Sequence, residues 1–193
     1  MYRKTKYRQT RSQKTAGQFS DFLKIIALGG LEEIGRNMTL FEYQNQVLII
    51  DMGLQFPDED MPGIDFIIPN IEYLIKHPEK QILGIIITHA HYDHIGAIPY
   101  LIDKLNYPPI YTAPLSRGII LKRQEDFPNL KKLNIQEIKP GQNIILGPFK
   151  ITPFHLNHNI PDTLGLAINS PAGLIMYATD FKFDLQPMVA SRM

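Results

Sequence analysis

Six consecutive positions, His89 to His94, hold three histidines and an aspartate within the stretch THAHYDHIGA. Imidazole and carboxylate are donors for divalent cations of borderline hardness, and with no cysteine in the chain a metal must be held by these groups. His89 and His91 are two apart at the end of an apolar run, so both side chains lean to one side as the chain leaves a strand. Asp93 and His94 follow at the mouth of a helix, where a carboxylate suits the positive end of the dipole. Burying these groups without a common partner would cost on the order of several kcal/mol. Two divalent ions about 3.5–4 Å apart would use such a cluster, zinc being the first choice and manganese the alternative. Four ligands do not saturate two ions. His158, in LNHNIPD, and Asp180, in MYATDFKFD, both stand where strand-like segments end and are the candidates to complete the set.

Other residues of these types read differently. His77, in KHPEK, sits on a polar helix end and is expected to face solvent. His155 precedes His158 by three, which on a strand is the opposite face, so it reads as packing or as support behind the ligands. The Phe181/Phe183 alternation reads as core packing, since a base-stacking platform needs exposed rings.

The elements that must position the cluster are short. FLKIIAL (22–28) reads as a strand, and MTLFEY (38–43) and QVLIID (46–51) as a hairpin turning near Asn45. IPNIEYLIKHP forms a short helix stopped by Pro78, and QILGIIIT (81–88) is a buried strand by its continuous apolar character. Helical spacing then runs from about His94 to Leu105, with Ile95, Ile98, Leu101, Ile102 and Leu105 on its apolar face and Pro99 near its start. PPIYTA is a strand, LSRGIILKRQEDF a helix ended by Pro128. The remainder is strands with turns at Pro140-Gly141, Gly147-Pro148 and Pro171-Ala172-Gly173. Strands interleaved with helices indicate an α/β protein of layered sheets with helices outside.

At 193 residues, with 44% hydrophobic and 20% charged content, the chain is of globular composition. No apolar run is long enough to span a bilayer and no signal peptide is visible, so no membrane partner is expected. The absence of cysteine fits a reducing, cytoplasmic setting. The net charge of +1 conceals an asymmetry: residues 1–20 carry Arg3, Lys4, Lys6, Arg8, Arg11 and Lys14 and no acid, so the body is acidic. Residues 1–20 read as a basic disordered tail, either a solvated leader or a weak attraction for nucleic acid.

THAHYDHIGA matches the HxHxDH signature of the metallo-β-lactamase superfamily, and GGLEEIGRNM, IIDMGLQFPDEDMPGIDFIIPN, HNIPD and DFKFD resemble the ribonuclease J family of its β-CASP branch. The resemblance runs from about Lys24 to Pro187. It implies an αββα sandwich with a two-metal site at one edge, residues 21–193 forming the N-terminal portion of the metallo-β-lactamase domain. In that family a β-CASP domain is inserted after the DFKFD region, and a later return of the chain supplies a further histidine to the second ion. The expected fold is thus an incomplete sandwich without that insert.

Carried over by position, the resemblance implies that His89, His91 and His158 hold one ion, Asp93 and His94 the other, and Asp180 bridges them. Asp93, His94 and Asp180 are then the catalytic residues. Asp51 would orient the cluster from behind, and the Asp51–Gly53 loop can carry a structural cation such as calcium. Backbone N–H groups of Gly29, Gly30 and Gly35 are candidates for phosphate binding. Ala90, Tyr92, Asn159 and Thr179 depart from the family's usual residues without removing a ligand; Tyr92 is expected to alter the groove floor.

The implied activity is a metal-dependent ribonuclease acting on single-stranded RNA in maturation and decay, rRNA processing included. It would work 5′→3′ as an exonuclease with some endonuclease cutting, and be cytoplasmic and homo-oligomeric at full length. Two cations sharing a water lower its pKa and so provide the attacking nucleophile. The alternatives are another hydrolase on the same scaffold, a thioesterase or lactamase, and a metal-binding fragment without catalytic competence.

Overall fold

The computed structural model describes residues 22–184. The basic segment 1–20 and residues 185–193 lie outside the described residues.

Six strands form the first sheet in the order β1 (Leu23–Gly29), β2 (Met38–Tyr43), β3 (Gln46–Ile50), β4 (Gln81–Ile86), β5 (Ile110–Thr112) and β6 (Ile135–Glu137). The first three pair antiparallel, and β3 to β6 run parallel. A second, antiparallel sheet has the order β10 (Gly173–Tyr177), β9 (Leu164–Ser170), β8 (Phe149–His155) and β7 (Ile144–Leu146).

Two cores divide the apolar residues by strand parity, because alternate side chains face opposite sides of a sheet. Val47, Ile49, Ile85 and Ile87 pack against the helices, with Ile95, Ile98, Leu101, Ile102 and Leu105. Leu48, Ile50 and Ile86 face the second sheet, meeting Phe149, Ile151, Leu164, Leu166 and Ile168. Both faces of β3 and β4 are buried, which is why their sequences read as unbroken apolar runs. The two sheets pack face to face, as in the expected sandwich, with a helical layer on one side among the described residues. The outer face of the second sheet leaves Ile145, Leu174 and Met176 exposed.

The helices are shorter than the sequence predicts. The expected helix after Pro69 is a single turn, α1 (Glu72–Ile75). The expected helix over 94–105 is two turns, α2 (Tyr92–Ile95) and α3 (Ile98–Leu101). The Ala97 N–H donates to Met52 O, 2.9 Å away, and Pro99 has no N–H to give. The apolar face is buried as expected, since the two turns keep nearly the same phase. α4 (Pro114–Gln124) starts on a proline at its first position, as helices tolerate well.

Candidate metal centre

The site lies at the C-terminal ends of β3 and β4, where the sheet changes from antiparallel to parallel pairing. β3 ends at Ile50, and Asp51 turns out of it with a φ of 61°, a conformation that aspartate tolerates better than most residues. β4 runs on through Thr88 to His89, both fully buried, before α2 begins. Thr88 O accepts the N–H of Leu164 at 3.0 Å and so ties this turn to the second sheet. The loop between β8 and β9 brings in His158. The segment after β10 brings in Asp180, held by the Lys182 N–H donating to Asn157 O at 2.7 Å.

Three distant segments thereby converge. His91 Nδ1 lies 3.0 Å from His89 Nε2 and 3.2 Å from His158 Nε2, and Asp180 Oδ2 lies 3.7 Å from His158 Nε2. Ligands at about 2.0–2.1 Å around a tetrahedral cation stand about 3.3 Å apart, so these separations fit an ion at their centre. A second group is formed by His94 Nε2, Asp93 Oδ2 at 3.5 Å and Asp180 Oδ2 at 3.7 Å. Within each group all ligand atoms lie within 4.8 Å of one another, and Asp180 belongs to both. Nitrogen and carboxylate oxygen in these numbers are the donor set of a divalent cation.

Behind the ligands, a buried relay sets the ring nitrogens. Asp51 accepts from the Thr88 N–H at 2.8 Å and from the Thr88 hydroxyl at 2.9 and 3.0 Å. With its proton committed to Asp51, the Thr88 oxygen accepts from His89 Nδ1 at 3.1 Å, leaving the Nε2 lone pair to the site. Asp51 Oδ2 also meets His94 Nδ1 at 2.8 Å and turns the other nitrogen, Nε2, towards Asp93 and Asp180. Burial, then the neighbouring imidazoles, push His89 down to about 3, which keeps it neutral. Burial opposes charge on His94 too, yet the carboxylates of Asp51, Asp180 and Asp93 outweigh it and push it up to about 12. Its interaction with His94 is the main cause that pulls Asp180 down to about 2.

Residues 46–193 match the family model of the beta-lactamase superfamily domain. The chain belongs to the beta-lactamase superfamily. Among its superfamily relatives, the ribonuclease J of Thermus thermophilus is 41% identical over 175 residues, covering 87% of this chain and 30% of that protein. The ribonuclease J proteins of Corynebacterium glutamicum (42% identical) and Helicobacter pylori (43%) each cover 86% of this chain. The chain spans 23% and 24% of the length of those two relatives. The superfamily fold recurs in the metallo-beta-lactamase fold protein YhfI of Bacillus subtilis, with a TM-score of 0.57 at 18% identity over 84% of this chain and 64% of that one. Human tRNase Z, short form, gives a TM-score of 0.57 at 16% identity over 81% and 68%. The superfamily fold and the His/Asp cluster together point to divalent metal binding.

The other residues singled out in this superfamily domain fall as follows. The Gly30 N–H is occupied by Glu33 Oε1 at 3.0 Å. Gly29 and Gly35 are packed against Arg36 and Gln55, where any Cβ would stand within 2.7 Å of a neighbouring atom. Gly53 is required by contact: a Cβ there would stand 1.5 Å from Asp93 O. Its neighbours Met52 and Leu54 donate to His94 O and Tyr92 O at 2.8 and 3.1 Å, locking the loop onto α2. His77 is about half exposed and pairs with Glu79, and His155 lies outside both donor groups. Tyr92 carries the Arg123 guanidinium 4.5 Å over its ring and accepts from Nη1 at 2.9 Å.

A further expectation fails. Phe181 and Phe183 are 49% and 95% exposed and meet edge to face at 5.5 Å, because the chain after Tyr177 is no longer a strand and its alternation selects no core face.

Sequence reasoning also passed over Thr88 and Asn37, and noted Thr179 only as a departure from the family's usual residue. Thr88 completes the relay, and the Thr179 hydroxyl lies 3.1 Å from Thr88 Oγ1. Asn37 Nδ2 lies 3.0 Å from Asp93 O and 3.2 Å from His94 Nε2. The only signals were their places beside motif residues: Thr88 immediately before His89, Thr179 before Asp180, and Asn37 within GGLEEIGRNM.

Proposed function

We propose that this chain is the metal-binding part of a ribonuclease that cleaves single-stranded RNA with two divalent ions, zinc being the fitting metal by donor type and manganese the alternative. The sharing of Asp180 between two donor groups carries the reading, and the ribonuclease J relatives give it its substrate. His89, His91 and His158 would hold one ion, Asp93 and His94 the other, and Asp180 both. Two such ions would supply water of lowered pKa and offset phosphate charge.

The chain's own part is positional. Asp51 and Thr88 hold His94 and His89 through Nδ1 and so turn Nε2 of each ring inward, a support worth about 10–100-fold in metal affinity in such sites. Asp51, with its carboxylate already engaged by Thr88 and His94, serves here as that support rather than as the seat of a structural cation. The Gly30 N–H is likewise engaged, so phosphate recognition is assigned to the ion pair. A 5′→3′ exonuclease with some endonuclease cutting, cytoplasmic and self-associating in its longer form, is the setting that fits the relatives and the cysteine-free sequence.

The deciding assay offers 5′-monophosphorylated single-stranded RNA and a thioester to the purified protein loaded with Zn²⁺ or Mn²⁺. RNA shortened from its 5′ end, with the thioester intact, supports the reading; thioester cleavage with intact RNA replaces it by another hydrolase. One further reading is a metal-binding piece without turnover. That reading predicts bound ions and neither activity.

A further inference from the structure

We propose that Asn37 is a positioning residue of the second donor group, its carboxamide fixing the Asp93 carboxylate beside His94, and that the bare Cα of Gly30 is what admits it. The inference rests on the two-ion reading of the cluster. Asn37 stands 56 residues from Asp93 in sequence, yet its Nδ2 donates to Asp93 O at 3.0 Å and to Asp93 Oδ2 at 3.3 Å. Its backbone N–H donates to the same carbonyl at 3.1 Å, and its own carbonyl accepts from the Gly53 N–H at 2.9 Å. The side chain therefore stands on a backbone already bolted to the ligand turn.

The orientation of the amide follows from its other end. Asn37 Oδ1 lies over Gly30, where a Cβ would come within 2.3 Å of it, and Gly30 has a φ of +83°. With the oxygen turned there, both N–H groups face Asp93, and Nδ2 rests 3.2 Å from His94 Nε2. Asp93 is partly exposed, and His94 is its other side-chain partner among the described residues. Left alone, its carboxylate could swing to solvent. An uncharged double donor holds it inward without adding a charge that would compete for the ion, which a carboxylate at this position could not do. The glycine-rich loop thus serves the ions through Asn37.

The test is Zn²⁺ binding to the purified chain, measured by chelator competition, with circular dichroism to compare folds. Asn37→Ala should weaken the second ion by about 10–100-fold and leave the first as it was. Asn37→Asp should show the same loss, since it brings no N–H. Wild-type affinity in Asn37→Ala overturns the inference, and tighter binding in Asn37→Asp would make residue 37 a ligand instead. If Asn37→Ala does not fold, the wild type still decides: with ¹⁵N-asparagine, the Asn37 side-chain amide protons should exchange slowly with and without Zn²⁺, and fast exchange overturns the proposal. A wild-type chain that binds fewer than two ions removes the two-ion reading itself; two ions with an unaffected Asn37→Ala removes only the role of Asn37.

Discussion

Asp51 Oδ2 lies 2.8 Å from His94 Nδ1, on the edge of the ring opposite the nitrogen that faces Asp93 and Asp180. A fully buried carboxylate placed there holds the Nδ1 proton, so that Nε2 is the nitrogen whose proton a cation would displace. Through Thr88 it does the same for His89. Asp51→Asn keeps the shape but puts an N–H where an acceptor is needed. Zinc affinity should fall by about 10–100-fold with little change in fold. Competition against a chromophoric chelator measures it, and undiminished affinity would show the relay to be dispensable.

The two donor groups are separable by mutation. His158 belongs to one group only, Asp180 to both. His158→Ala should therefore lower the ion count of the protein from two to one, whereas Asp180→Ala should weaken both ions together. Elemental analysis after dialysis against trace metal gives the count. An Asp180→Ala protein that keeps two ions as tightly as wild type would contradict the bridge.

A second buried carboxylate, far from the ions in role, governs stability. Glu42 has a side chain 1% exposed, paired with Lys24 Nζ at 2.8 Å and Lys80 Nζ at 2.9 Å and accepting from the Tyr73 hydroxyl at 2.7 Å. Burial raises its pKa, but these three donors outweigh it and the net shift is downward from 4.5. A lowered folded pKa means that the stabilisation is fully present above the unfolded value and is lost as pH falls through the folded one. Glu42→Gln should cost about 3 kcal/mol near neutral pH by stranding Lys80. The difference from wild type should shrink below a pH of about 4.5. Urea midpoints at neutral and acid pH test both the size and the sign.

Gly53→Ala should be among the most damaging single-methyl additions in the chain. The new Cβ would lie 1.5 Å from Asp93 O, a backbone atom that cannot rotate aside. Relief requires the loop to part from α2 and give up the bonds at Met52 and Leu54. A loss on the order of 4 kcal/mol, seen as a large fall in melting temperature, should come with loss of zinc. A variant of normal stability would mean that the loop can shift without harm.

The ligands were legible because chemistry is written in residue type. Four of the candidates fall within six positions, and His158 and Asp180 stand just past strand ends, where a layered protein gathers its site. The sheets were legible through parity: Leu48 and Ile50 against Val47 and Ile49 is a pattern that only a strand buried on both faces explains. The helix broken at Gly96-Ala97 was hidden because the bond that breaks it comes from Met52, a partner periodicity does not see. Phe181 and Phe183 misled for a related reason: alternation has meaning only while the chain is a strand. Thr88 and Asn37 are neutral and common, and distance alone gives them a role.

The position of Asp180 as the member common to both groups has a consequence for biosynthesis. A ribosome delivers His89 through His94 first, His158 only 67 residues after His91, and the shared carboxylate last. A nascent chain therefore offers passing cations the 89–94 cluster alone at first, and joining of the two donor groups must wait until the Asp180 segment has emerged and docked. Seating of the ions would then be coupled to docking of that segment, and each ion would steady the carboxylate that its neighbour needs.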